Sequence, residues 1–271
     1  MPGGTVVQYY YYWDYLNGVP FKNDSWDPDY DGEKKAEYNY IDLDEYIAFC
    51  RKVNSESTVG ISIRSGKEFN MNERSLDEAK RLLTYCKEKQ YNVKFWYIGN
   101  EGHAKGFSAL KYAEYIDMYA DVLKSVDPNV KIVADWKMGP YKKNRGQESI
   151  ILVKASKSIN VMEFHEKWGD VWGLKSGFTM EEWRNELPIY NGKLTTLIRR
   201  FKEEMQKDNR NIKVGFNEWG LGGIKDGTKF DHALVASAFF RNEFKEVTMK
   251  VESFVNPGSI ISSNIKNSNS N

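Results

Sequence analysis

The chain has 271 residues, of which 41% are hydrophobic and 28% charged, with a formal net charge of +1. That length and balance fit one large globular domain and exclude wholesale disorder, and a charge so near zero gives no reason to expect nucleic acid or an anionic membrane as a partner. No apolar run approaches the roughly 20 residues of a membrane span, and the opening Met1-Pro2-Gly3-Gly4-Thr5 has neither the basic region nor the apolar core of a signal peptide.

The predicted elements begin with an aromatic stretch, Val6 to Tyr15, that reads equally as a strand or as a long loop; it contains Trp13 and Asp14. Asn17 to Tyr40 is loop chemistry, dense in Asp, Gly and Pro, and a loop of that length inside a domain implies service to a site. Asp42 reads as the N-cap of a helix through Leu43, Tyr46, Ile47 and Cys50, with Glu45 completing a capping box. Thr58 to Ile63 reads as a strand ended by Arg64-Ser65-Gly66. Ser75 with Glu78 reads as the start of the next helix, faced by Leu82, Leu83 and Cys86. Cys50 and Cys86, the two cysteines, both fall in predicted helices and read as buried thiols rather than a disulfide.

Asn92 to Gly99 reads as a buried strand. It gives way to Asn100-Glu101, then to Gly102, with a helix starting near Ser108 and running to Asp127-Pro128. Val130 to Ala134 is the next predicted strand, followed by a polar loop and a helix around Glu148 to Ala155. Ile159 to Phe164 is a strand ending at His165. A Trp-rich loop (Trp168, Trp172) precedes a helix around Gly192 to Lys207. Ile212 to Phe216 then repeats the earlier grammar, leading into Asn217-Glu218-Trp219-Gly220. A helix from His232 to Lys245 and a strand from Val247 to Val251 close the pattern, and residues 256–271 read as a disordered Ser/Asn-rich tail.

Strand and helix alternate throughout, which implies a parallel sheet. With carboxylates at strand ends and no glycine fingerprint for a dinucleotide or P-loop, the expected fold is α/β, a (β/α)8 TIM-type barrel over residues 1–255. The two Asn-Glu pairs would stand on strands three steps apart. A retaining glycosidase needs two carboxyl groups about 5–5.5 Å apart, one as general acid and one as nucleophile; Glu101 and Glu218 are the candidate pair. Aromatic residues lie near both, so the residues alone leave open which glutamate takes which role. The 14% aromatic content, with 8 Trp and 17 Tyr, suits either a Tyr-rich core or faces for sugar rings, and Trp13, Trp96 and Trp219 are the candidate stacking surfaces. Three histidines without ligand spacing give no metal site, and no cofactor is expected. A barrel aldolase or isomerase would need a buried lysine at a strand end; Lys94 and Lys213 sit within predicted strands, away from the carboxyl end.

These stretches resemble the retaining glycoside hydrolases of the barrel clan that carries its acid/base on the fourth strand and its nucleophile on the seventh, and within it most closely the α-L-arabinofuranosidases of family 51. Pro2-Gly3-Gly4, Tyr12-Trp13-Asp14, Leu43-Asp44-Glu45-Tyr46, Ile98-Gly99-Asn100-Glu101, His165 and Asn217-Glu218-Trp219 carry the resemblance, which covers nearly the whole chain. It implies Glu101 as acid/base, Glu218 as nucleophile, Asn100 on the sugar 2-hydroxyl and His165 holding the nucleophile or the sugar, with an oligo- or polysaccharide as substrate. Against the family layout, the first strand, most of the second and the following β-sandwich are missing, so the barrel is expected to be incomplete. Thr5 stands where the family has asparagine and Lys167 where it has tyrosine, which admits an agarase- or xylosidase-like relative, or a carbohydrate-binding remnant, as alternatives. Oligomeric state is not legible, nor is location: cytoplasmic if the chain is complete, extracellular if a leader preceded it.

Overall fold

Asp42 caps the first helix of the described residues as its spacing predicts: the carboxylate accepts from the Glu45 N–H at 2.8 Å while the Glu45 side chain accepts from the Asp42 N–H at 3.2 Å. In this computed structural model the description covers residues 42–68, 70–104, 106–137, 145–168 and 180–221, with side chains at 65, 145, 166–168, 180, 182–184, 186–191 and 217–221 not described. The expected aromatic stretch with Trp13, the helix from His232, the strand from Val247 and the tail 256–271 lie outside those residues.

In chain order the elements are α1 (Leu43–Lys52), β1 (Thr58–Ile61), the short α2 (Arg64–Glu68), α3 (Asn72–Glu88), β2 (Phe95–Ile98), a 3-10 turn (Gly102–Ala104), α4 (Ala109–Val126), β3 (Lys131–Lys137), α5 (Arg145–Ala155), β4 (Ile159–Trp168), α6 (Met180–Lys207) and β5 (Lys213–Leu221). The five strands among the described residues form one sheet in sequence order, every neighbouring pair parallel. Each pair is joined through helix, the arrangement that parallel neighbours require, so the alternating pattern read from the sequence is realised.

Helix and strand periodicity divide the apolar residues between the two faces of this sheet. Trp96 and Ile98 of β2, Ile132, Ala134 and Trp136 of β3, and Met162 and Phe164 of β4 pack under the helices, against Tyr112, Ile116 and Tyr119 of α4, Leu152 and Val153 of α5, and Leu194 and Phe201 of α6. Phe164 and Phe201 meet edge to face, with ring centroids 5.6 Å apart. On the opposite face Phe95, Tyr97, Val133 and Val161 form a smaller cluster. One residue pair further along, that inner face turns polar, with Asp135 in register with Glu163. Layered side chains inside a barrel wall have this form, with function reserved for the carboxyl ends of the strands. Cys50 and Cys86 are free and buried in the core, and burial pushes the Cys86 thiol up to about 12.

Several boundaries differ from the expected ones. Ser75 does not cap α3: the helix begins at Asn72, behind Met71, which makes no side-chain cap. Ser75 lies inside the helix, where its hydroxyl donates to Ser62 O at 3.2 Å and accepts from the buried Tyr119 hydroxyl, a tertiary contact that outweighs the local capping preference. β1 ends at Ile61, two residues before the expected end at Ile63, and Arg64-Ser65-Gly66 opens α2. α4 turns Ala109, Tyr112, Ala113, Ile116, Tyr119 and Leu123 inward and leaves Leu110 on its solvent side. α6 starts at Met180, well before Gly192. β5 extends through Asn217, Glu218 and Trp219 instead of ending before them.

Candidate active site

Gly99, Asn100 and Glu101 turn the chain off the end of β2, and the turn requires special backbone. Gly99 has φ of +75°, and a Cβ there would lie 2.8 Å from Ile63 Cδ1 and 3.1 Å from the Tyr112 hydroxyl; only glycine meets both conditions. Its N–H donates to Ile61 O at 2.9 Å, tying the turn to β1. Glu101 follows with φ of 49°, a left-handed conformation that is uncommon for a residue with a side chain. Its N–H donates to Asp135 Oδ2 at 2.6 Å.

Around this turn the structure gathers side chains from three strands and a helix. Asp135, near the end of β3, is fully buried; its other oxygen accepts from the Tyr112 hydroxyl at 2.8 Å, and that hydroxyl also lies 2.7 Å from Ile98 O. His165 of β4 is 3% exposed. Its Nδ1 lies 3.3 Å from Glu101 Oε1, and its Nε2 lies 3.3 Å from the Tyr97 hydroxyl and 3.7 Å from Asp135 Oδ2. Tyr97 donates its one hydroxyl proton to Asn100 Oδ1 at 2.9 Å, so the His165 Nε2 position supplies the proton on its contact with Tyr97. Nδ1 then meets Glu101 either by accepting from its protonated carboxyl or, as imidazolium, by donating to its carboxylate. The Glu101 side chain is 24% exposed, so the carboxyl group sits at the border between this buried network and solvent.

Burial drives the charges here. Desolvation raises the Asp135 carboxyl above its ordinary value, opposed by His165 and by the hydrogen bonds from Tyr112 and the Glu101 N–H. Burial, then the nearby Asp135, hold the Tyr112 phenol far above its usual range, so it stays a neutral donor.

Of the residues singled out in the sequence, Asn100, Glu101 and His165 come together in this cluster. Glu218 lies on β5, three strands from β2, and the register sets it directly beside His165. A one-residue shift between Phe164 and His165 brings Glu218, instead of Asn217, to that position. Trp219 pairs with Glu166 along the same strands. Trp96 is a correction: it is fully buried on the helix side of the sheet, its indole N–H donating to Val93 O at 3.2 Å. It packs the core and offers no face to a sugar, because strand alternation turns Trp96 outward and Tyr97 inward. Lys94 precedes β2 and pairs at the surface with Glu56, and Lys213 is the exposed first residue of β5, so neither is the buried strand-end lysine of an aldolase.

Asp135, Tyr97 and Tyr112 were not singled out beforehand. Asp135 carried a signal: it follows the predicted strand Val130 to Ala134 at once, in the same strand-end position that drew attention to Glu101. Tyr97 could have been found from its period-two relation to Phe95. Tyr112 reaches the site across a helix–strand interface, which no local pattern records. Among the described residues no group of three His, Cys, Asp or Glu is placed to hold a metal ion, and no helix is long and apolar enough to cross a membrane.

No family model matches the chain. It is 21% identical over 244 residues to an intracellular exo-α-(1→5)-L-arabinofuranosidase of Acetivibrio thermocellus, an alignment that covers 81% of this chain and 45% of that relative. Among solved structures, an α-L-arabinofuranosidase from Thermotoga maritima matches with a TM-score of 0.60 at 19% identity, over 91% of this chain and 52% of that one. A thermostable GH51 α-L-arabinofuranosidase from Thermotoga petrophila matches with a TM-score of 0.59 at 20% identity, over 94% of this chain and 53% of that one. The chain thus spans about half the length of the relatives it matches. Sequence and fold agree in bearing out the resemblance read from the motifs: the chain is similar, over most of its own length and about half of theirs, to the family-51 α-L-arabinofuranosidases, and it shares their α/β-barrel architecture.

Proposed function

We propose that the chain belongs to a retaining glycoside hydrolase, α-L-arabinofuranosidase-like in its substrate, with Glu101 as acid/base and Glu218 as nucleophile. One observation carries the reading. His165 is neighbour to both glutamates: its ring contacts the Glu101 carboxyl at 3.3 Å, and its backbone stands in register with Glu218. Two carboxylates brought to one histidine at the carboxyl ends of parallel strands suit double displacement.

In the first step the Glu218 carboxylate attacks the anomeric carbon. The bond from that carbon to the leaving oxygen breaks, and Glu101 gives its proton to that oxygen. In the second, Glu101 takes a proton from water as the water oxygen attacks the anomeric carbon, and the bond to Glu218 breaks. Two inversions leave the configuration retained. Asn100, by the family resemblance, hydrogen-bonds the sugar 2-hydroxyl; its amide is oriented by the bond from Tyr97. The substrate is an oligo- or polysaccharide carrying the arabinofuranosyl group, and the chemistry calls for no cofactor.

Hydrolysis of aryl α-L-arabinofuranosides by the chain, with circular dichroism as the control for folding, tests the reading. Glu218→Ala should abolish turnover, and azide should restore it with an inverted glycosyl azide as product. Turnover unaffected by the substitution would remove Glu218 from the reaction. A folded protein that binds the sugar and never cleaves it, with binding unchanged in Glu101→Gln, would instead favour a carbohydrate-binding role. Cleavage of a xyloside or an agarose-derived glycoside in place of the arabinofuranoside would keep the mechanism and change the sugar.

A further inference from the structure

The backbone of Glu101 is held in a conformation that residues with side chains avoid, and the group that holds it is a buried carboxylate from another strand. We propose that Asp135 is a positioning residue for Glu101: by accepting the Glu101 N–H it fixes the left-handed turn that delivers the Glu101 carboxyl group to its working position. The inference rests on the reading of Glu101 as acid/base and deepens it.

Three features support it. The bond from the Glu101 N–H to Asp135 Oδ2, at 2.6 Å, is short, as hydrogen bonds to ionised acceptors are, and it acts on the very residue whose φ is 49°. Next, Asp135 is clamped from behind. Tyr112, a fully buried residue of α4, donates to its other oxygen at 2.8 Å, so the carboxylate cannot follow Glu101 if the turn moves. Finally, the network closes on itself. Asp135 Oδ2 lies 3.7 Å from His165 Nε2, and His165 Nδ1 lies 3.3 Å from Glu101 Oε1. Residue 101 is thereby held at its backbone by Asp135 and at its carboxyl by a histidine that Asp135 also faces. A fully buried carboxylate is costly to keep in a core, and an apolar residue would fill the same space. A geometry that matters to the reaction accounts for its presence, since sites tolerate such cost where packing does not.

The test separates positioning from mere stability through the leaving group. A glycoside with a dinitrophenyl leaving group departs without protonation, whereas a methyl glycoside of the same sugar needs the acid. If Asp135 positions the acid, Asp135→Ala should lower kcat/KM for the methyl α-L-arabinofuranoside at least about tenfold more than for the dinitrophenyl one, within the roughly 100- to 10,000-fold that general acid catalysis supplies. Asp135→Asn, which keeps an acceptor oxygen and loses the charge, should recover part of the difference and serves in place of the alanine variant if that fails to fold. Equal losses on both substrates would overturn the proposal, because a smaller folded fraction scales every rate alike.

A second readout does not depend on turnover. In the full-length chain labelled with nitrogen-15 glutamate, the Glu101 amide proton should resonate far downfield and exchange slowly, and both properties should be lost in Asp135→Ala and reduced in Asp135→Asn. If the unaltered chain cleaves neither glycoside, the glycosidase reading fails while the amide signature still decides whether Asp135 holds residue 101. An ordinary Glu101 amide shift in the unaltered chain would overturn the hold itself.

Discussion

Tyr112→Phe removes one hydroxyl and leaves a ring of the same shape, so its cost isolates the hydrogen bonds beneath the candidate site. The ring would keep its contacts with Phe107 and Trp136, whose centroids lie 5.5 Å and 6.0 Å away. What is lost is a proton shared between Ile98 O at 2.7 Å and Asp135 Oδ1 at 2.8 Å, with the tyrosine fully buried. One proton serves both acceptors, so the loss is that of a single bond to a charged acceptor, about 1.5–3 kcal/mol. Urea unfolding followed by tryptophan fluorescence measures it. The loss also has a pH dependence of known sign. Burial raises the Asp135 carboxyl above its ordinary value, so its ionisation weakens the fold as pH rises through the folded-state value, and the Tyr112 bond lowers that value part of the way back. Without the hydroxyl the folded-state value rises further. Between the two values the variant keeps a proton that the wild type has released, so the stability gap is smaller on the acid side and opens as pH rises. A loss under about 0.5 kcal/mol, the level of an ordinary surface substitution, or a gap that does not shrink on acidification, would refute the argument.

Two further substitutions probe the scaffold. Gly99→Ala must place a side chain at φ of +75° and within 2.8 Å of Ile63 Cδ1; the backbone cost of about 1–2 kcal/mol and overpacking of about 1–3 kcal/mol should together lower the thermal midpoint by several degrees, and an unchanged midpoint would show that the turn adapts. Asp42→Ala removes the carboxylate that accepts the Glu45 N–H in the capping box on α1, while the backbone N–H of residue 42 keeps its Glu45 acceptor; it should cost about 1 kcal/mol in urea unfolding, with no measurable change counting against the cap as a contributor to the fold.

The chain order of strands and helices was legible because parallel α/β units repeat a short grammar. A buried apolar run, a glycine or polar turn and an amphipathic helix each follow from local periodicity. Glu101 was legible for the same reason, since Gly99 and Asn100 mark the end of β2 within the residues themselves. Ser75 shows where this reading stops: its cap-like spacing is local, but Tyr119 and Ser62 claim its hydroxyl from other elements. Trp96 shows it again, because an aromatic residue beside a candidate site motif reads alike whether its strand turns it toward the site or the core.

What the sequence by itself determined is the alternating parallel architecture, the two Asn-Glu motifs and their separation by three strands, all of which depend on spacing along the chain. What only the tertiary structure decided is the company Glu101 keeps. Asp135, Tyr112, Tyr97 and His165 come from β3, α4, β2 and β4, and they meet through sheet register and the packing of a helix on the sheet. A hydrogen bond is decided over a few ångströms between residues distant in sequence, and no periodic pattern along the chain encodes that distance.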